Sequence, residues 1–317
     1  MSIELTTDFA GLSNEDWFDA LDDVAEEHGH FERVGANHAA AFIDQGKKLL
    51  VTFETFPEIC EQSEVMEPRG FQAARDFGWS HLAIVARGES WFRDLRLYQY
   101  FDRLTDDGFF EDFDEVLFFG THRGGYAAGA YAVAAPGSRV LSIRPVATLD
   151  PQIANWDRRY LEARRTDFST RYGFAPDMID ATQHTFVVFD PQEDLDAMHA
   201  ALFTRSNVTK LRMPRMGTKL DHNLDEMGIL LPLMEYAMNG DLTEASFAEL
   251  YRSRRDFVPY LRQFVGWLER KRDYSRAAAI CRYVLSEGKR PYFAQRLRQI
   301  EEKAAREEKM NATRAAQ

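Results

Sequence analysis

Apolar residues along this chain follow two different patterns. From residue 48 to about 213, short apolar runs alternate with amphipathic stretches, and from about 231 onward only a helical period is left. The clearest run is Val116-Leu117-Phe118-Phe119, wholly apolar as in a strand buried on both faces. Residues 48–53 (KLLVTF), 78–87 (GWSHLAIVAR), 139–143 (RVLSI), 184–189 (HTFVVF) and 207–213 (NVTKLRM) read as further strands. Helices are predicted over 95–104, from 126 to about 135, over 152–165 and over 194–203. Trp17, Phe18, Leu21 and Val24 suggest an amphipathic helix near the N-terminus, and the alanines of 38–43 suggest a small second one. Strands alternating with helices at this spacing imply an α/β fold with a doubly wound, mostly parallel sheet.

The later part of the chain is helical. Helices are predicted over 243–251, with Thr243 as a capping candidate, and over 257–271 and 274–286 as an antiparallel pair. The run WLERKRDYSRAAAICRYVLSEGKRP resembles part of one tetratricopeptide repeat, with Ala277, Ala278 and Ala279 allowing close helix approach. A single repeat does not stand alone, so this appendage is expected to pack on another surface, either its own α/β domain, a second copy or a protein partner. Residues 300–317 read as a charged helix fraying into a tail. Three segments result: an acidic 1–47 packing on the core, an α/β domain at 48–240, and a helical, basic 241–317.

Composition narrows the classes. A chain of 317 residues can bury a full core. No apolar run reaches the ~18 residues of a membrane span, and MSIELTTDFAGL lacks the basic-then-apolar pattern of a signal peptide. Cys60 and Cys281 have no metal spacing and read as reduced thiols, which points to a cytoplasmic protein. The spacing of His28, His30 and His38 fits no compact metal site, and no cofactor is expected. The net charge of -12 is unevenly spread: residues 251–317 hold 17 Lys and Arg against 8 Asp and Glu, so +9 there leaves -21 on residues 1–250. Such an acidic body repels phosphate, which argues against nucleic-acid binding through the main domain.

Chemistry concentrates after the central strand, in Gly120-Thr121-His122-Arg123-Gly124-Gly125. Strand, glycine-flanked turn and small-residue helix resemble the nucleophile elbow G-x-S-x-G of α/β-hydrolases. Element order over about 48–230 resembles that family as well, and GTHRGGYAA keeps the GxxxGGYxA context of one subgroup. The resemblance implies a nucleophile position at His122, an acid at Asp190 after HTFVVF, and a base at His222 after the last strand. It implies a second oxyanion amide in the backbone near Phe53. The helix N-terminus, with Thr121, Arg123, Gly124 and Arg144 around it, would favour an anion, and Trp91 would line the pocket.

Histidine in the serine's place removes the usual oxygen nucleophile. Several readings follow: a non-catalytic or atypical binding protein for a small anionic or acyl ligand, a His/Asp-dependent ester hydrolase, or two imidazoles and a carboxylate around a metal ion. Segments such as LLVTFE and APDMI also resemble proteins labelled phosphoadenosine phosphosulfate reductase. The Ser-Gly-Gly-x-Asp-Ser loop and reactive C-terminal cysteine of that reductase family are absent.

Overall fold

The computed structural model describes residues 8–62 and 64–315. The chain divides after Leu250 into two units. The first contains eight strands, β1 (Gly29–Val34), β2 (His38–Ile43), β3 (Lys48–Thr55), β4 (Ser80–Ala86), β5 (Glu115–Thr121), β6 (Arg139–Ile143), β7 (His184–Phe189) and β8 (Val208–Arg212). Its helices are α1 (Asn14–His28), α2 (Phe56–Gln62), α3 (Gly70–Phe77), α4 (Leu95–Asp106), α5 (His122–Tyr131), α6 (Pro151–Ala154), α7 (Ala175–Met178), α8 (Asp194–Leu202), α9 (Leu220–Glu226), α10 (Leu230–Asn239) and α11 (Glu244–Leu250).

The strands form one sheet in the order β1-β2-β4-β3-β5-β6-β7-β8. β2 runs antiparallel to both its neighbours, and every pair from β4 onward is parallel. Helices cover both faces, as wholly apolar central strands require. One face buries Phe53, Phe92, Phe101, Phe118 and Tyr131 in a continuous aromatic core. The other packs Trp17, Phe18 and Leu21 of α1 on Ala39, Ala41, Ile43 and Val85. Asp94 caps α4, its Oδ1 accepting from the Arg96 amide at 2.8 Å.

Two local predictions are corrected. Residues 38–43 form no helix: HAAAFI is β2, buried along its whole length. Alanine favours helices intrinsically, but here Ala40 and Phe42 serve one core and Ala39, Ala41 and Ile43 the other. Residues 152–165 are not one helix either. A single turn, α6, gives way to irregular chain and then to a 3-10 turn at Leu161–Arg165. Asp157 diverts the backbone there, because its Oδ1 accepts from the Arg159 amide at 2.9 Å. The residues around His222, after the last strand, form α9.

The second unit contains α12 (Val258–Arg270), α13 (Tyr274–Ser286) and α14 (Pro291–Ala315). Val265, Leu268, Ala277, Cys281, Val284, Phe293 and Ile300 are buried. Glu269 is buried too and is held by Arg296 at 2.6 Å and Lys303 at 3.1 Å. Burial and the nearby Glu269 carboxylate push the Cys281 thiol up to about 11, far from a reactive thiolate. No helix among the described residues is long and apolar enough to cross a membrane.

Candidate functional site

The parallel register brings strand ends to one edge. Phe53 pairs with Gly120, Thr121 with Ile143, and Ile143 with Val188, so the residues that follow β3, β5, β6 and β7 gather there. In open α/β sheets this carboxyl edge is where ligands bind.

At its centre β5 passes into α5 without a connecting loop. His122 is the first helical residue and has φ 51°, a left-handed backbone that a non-glycine residue adopts only when its surroundings impose it. The glycines impose it. A Cβ on Gly120 would lie 2.1 Å from the Gly124 carbonyl oxygen, and one on Gly124 would lie 2.1 Å from that of Phe53. β5 therefore bends sharply into α5, with an imidazole at the turn. The chain has a hydrolase-like fold.

Comparisons with known proteins add context. No protein-family model matches the chain, and no curated protein matches it by sequence. Among solved structures it is similar to Est1E from Butyrivibrio proteoclasticus, with 14% identity and a TM-score of 0.40, covering 65% of this chain and 96% of that one. It is also similar to the capsule O-acetyltransferase of Neisseria meningitidis serogroup A, with 13% identity and a TM-score of 0.37, covering 62% and 91%. The Glycosylation Associate Protein (Gap123) complex from Streptococcus agalactiae matches with 14% identity and a TM-score of 0.46, covering 68% and 46%. At such scores these likenesses carry no argument, and the fold reading rests on the chain's own sheet order.

The His122 ring is half-buried. Its Nε2 is hydrogen-bonded to the Tyr160 hydroxyl, and its ring centroid lies 5.9 Å from that of Trp91. Burial, then the positive charges of Arg144 and Arg159, lower its pKa to about 3. The imidazole is therefore neutral at ordinary pH and a weak base. Tyr160, absent from the sequence-derived site, also contacts Trp91, with centroids 5.0 Å apart.

Behind the tip lies an ion network that the sequence did not announce. Arg159 binds Asp157, with Nη2 at 2.8 Å, and its Nη1 also reaches Asp196. Arg144, just past β6 with φ 52°, sits with Nε 3.0 Å from Asp196 and donates from Nη1 to the Thr218 carbonyl. His199 is fully buried. Its Nδ1 accepts from the Ala147 amide at 3.2 Å, so Nε2 carries the proton and donates to Asp157 at 3.0 Å. Burial alone would raise the Asp157 pKa, but hydrogen bonds from His199 and Arg159 hold it well below the usual carboxylate range. The run Trp156-Asp157-Arg158-Arg159-Tyr160 carries two of these groups, Asp157 and Arg159, and its charge density is the available clue.

The other sequence-derived residues are distributed unevenly. Thr121 directly precedes the tip, and Gly124 is buried under β3. Arg123 pairs with Glu89 and lies over Trp91, its guanidinium carbon 5.4 Å from the ring centroid. The Phe53 side chain is 1% exposed and stacks on Tyr131 and Phe101, so it serves the core. Asp190 is buried, its Oδ2 accepting from the Gly217 amide at 2.7 Å and its Oδ1 from the Gln192 amide at 2.9 Å. His222 is half exposed on α9 and lies 3.6 Å from Glu226. Among the described residues no hydrogen bond or ion pair joins His122, Asp190 and His222.

One more donor is occupied. The Thr55 amide donates to Glu58 Oε2 at 3.1 Å, while the Glu58 amide donates to Thr55 Oγ1 at 3.3 Å. This reciprocal capping box joins the last residue of β3 to α2, the junction from which a hydrolase supplies an oxyanion amide. Beside the elbow opens a cavity of ~410 Å³ lined by Trp91, Arg123, Glu89, Glu162, His38 and Ser90, among others.

Proposed function

We propose that this chain is a hydrolase-like protein that binds a small acyl or anionic ligand at the elbow, where His122 acts as a neutral hydrogen-bonding group and not as the nucleophile. The observation that carries this reading is the placement of the partners. His122 is bonded to the Tyr160 hydroxyl, Asp190 accepts from two backbone amides, and His222 faces Glu226 on an exposed helix. A base and an acid that do not reach the tip cannot activate it. What remains is a rigid bend, the N-terminus of α5 with its outward amides, a cation at Arg123 and an aromatic wall at Trp91 and Tyr160.

Thermal shift tests the reading. A panel of short-chain carboxylates, acyl esters, inorganic phosphate and sugar phosphates is titrated into the whole chain. A ligand at 100 times its Kd stabilises the fold by about 2.7 kcal/mol, a shift of a few degrees in Tm at this size. One ligand class is expected to raise Tm, and His122→Ala to remove the shift. Equal shifts in the variant and the natural chain, or none with any member of the panel, would sink the proposal.

A further inference from the structure

The cavity beside the elbow contains a second set of groups that the binding role of His122 leaves unused. Ser90 lies in the irregular segment after β4 and is partly exposed. Its Oγ is 2.9 Å from Nε2 of His38, the first residue of β2, which is only 3% exposed. On the far side of that ring, Nδ1 lies 3.6 Å from Oδ2 of Asp94. Ser90 Oγ already accepts from the Phe92 amide at 2.9 Å, so its own hydrogen is free to point at His38 Nε2. The ring proton then sits on Nδ1, facing the carboxylate. This is the order hydroxyl, imidazole, carboxylate that activates a serine, assembled here from β2, a loop and the cap of α4.

Three further features point to a ligand. His38 Nδ1 is buried without a hydrogen-bond acceptor, an arrangement that a shortening of the Asp94 contact would resolve. Phe92, two residues beyond Ser90, has φ 56°, and the Tyr131 hydroxyl holds its carbonyl at 2.5 Å. Backbone strain fixed in this way concentrates at functional sites. Finally, Arg123 on the same cavity wall has a buried Nε that finds no acceptor among the described residues.

We infer that Ser90, His38 and Asp94 form an acyl-transfer site, with Ser90 as nucleophile toward a small carboxylic ester and Arg123 facing the developing oxyanion. The inference rests on the elbow reading to the extent that His122 binds and does not attack. Ser90 Oγ adds to the ester carbonyl carbon while its proton passes to His38 Nε2. The carbon–oxygen bond to the leaving group breaks, and the departing oxygen takes that proton as an alcohol. Water, deprotonated by His38, then releases the acid and restores Ser90. Burial lowers the His38 pKa and Asp94 opposes that shift, so the ring is neutral and able to accept at pH 7. Trp91 offers an apolar wall for the acyl or alcohol part.

A fluorophosphonate probe on the whole chain tests this. Trypsin cuts after Arg87 and Arg93, and residues 88–93 contain Ser90 as their one hydroxyl. Mass spectrometry is expected to find the phosphonyl group on that peptide. Ser90→Ala, with a Tm near that of the natural chain, should abolish it, and His38→Gln should slow labelling at least 100-fold. Asp94 is a positioning residue. Asp94→Asn keeps the helix cap, slows labelling about tenfold and moves the pH midpoint of the rate downward, which a purely structural role would not do. An unlabelled 88–93 peptide, or labelling that survives Ser90→Ala, overturns the inference. The elbow proposal fails separately, by labelling of His122 itself or by a ligand shift that His122→Ala leaves intact.

Discussion

Two neighbouring turns at the carboxyl edge of the sheet differ in what they retain. The bend after β5 is sharp, with glycines that tolerate no Cβ, but its tip is a weakly basic imidazole. The loop after β4 has no such bend, yet its Ser90 hydroxyl meets the His38 imidazole of β2, which in turn faces the Asp94 carboxylate at the cap of α4. Scaffold geometry and reactive side chains are thus separable properties of a site. A motif search reads the first and misses the second, because Ser90, His38 and Asp94 come from three elements whose meeting depends on β2 lying beside β4.

The comparison can be broken most sharply through the network behind the tip. Asp157→Asn leaves the guanidinium of Arg159 and the His199 proton without their acceptor, and should cost about 3 kcal/mol in urea unfolding. Because the Asp157 pKa is depressed in the fold, its stabilising effect is complete above the unfolded carboxylate value near ~4 and fades as pH falls below it. The variant should accordingly lose less stability than the natural chain between about pH 4 and pH 2. An unchanged acid limb would show that the pair carries no stability.

Gly124→Ala tests whether the bend is required. Its Cβ would meet the Phe53 carbonyl, and the displacement should cost about 2 kcal/mol and weaken ligand binding at the tip together with it. A neutral result in both thermal unfolding and ligand titration would mean that the elbow adjusts freely.

His122→Ser asks whether the bend alone creates a nucleophile. With Asp190 and His222 engaged elsewhere, no fluorophosphonate adduct is expected at position 122, and a detectable adduct there would refute the separation of the two turns. The smallest effect is spectroscopic. The ring resonances of His122 should titrate near pH 3 and move toward ordinary values in Arg144→Gln. A histidine depressed in the fold is stabilising above its unfolded value near 6.5 and loses that contribution as pH falls toward 3, so His122→Gln should flatten the stability profile across that window. A native midpoint near 6.5 would rule out the neutral hydrogen-bonding role.

Legibility in the sequence followed the same division. The apolar runs of β3 to β8 and the closely approached glycines after β5 are readable, because burial on two faces and close backbone approach leave signatures in residue type. β2 was read as a helix, since three alanines carry no sign of the two cores that claim alternate residues. The Asp157–Arg159–Asp196–His199 network was hidden for another reason: its members are 42 residues apart at the extremes, and ion pairing over that distance has no local period. Tyr160 is hidden with it, since the pattern over 152–165 reads as one helix and conceals the turn that carries it.

The closed box of Thr55 and Glu58 sets a condition on any attempt to retrofit this scaffold as an ordinary esterase. A hydroxyl grafted onto the bend would find no free donor at the Thr55 amide, because that hydrogen already faces the Glu58 carboxylate. Two edits would be needed, one to install the attacking atom and one to clear that amide, and neither would show its value until the other had been made.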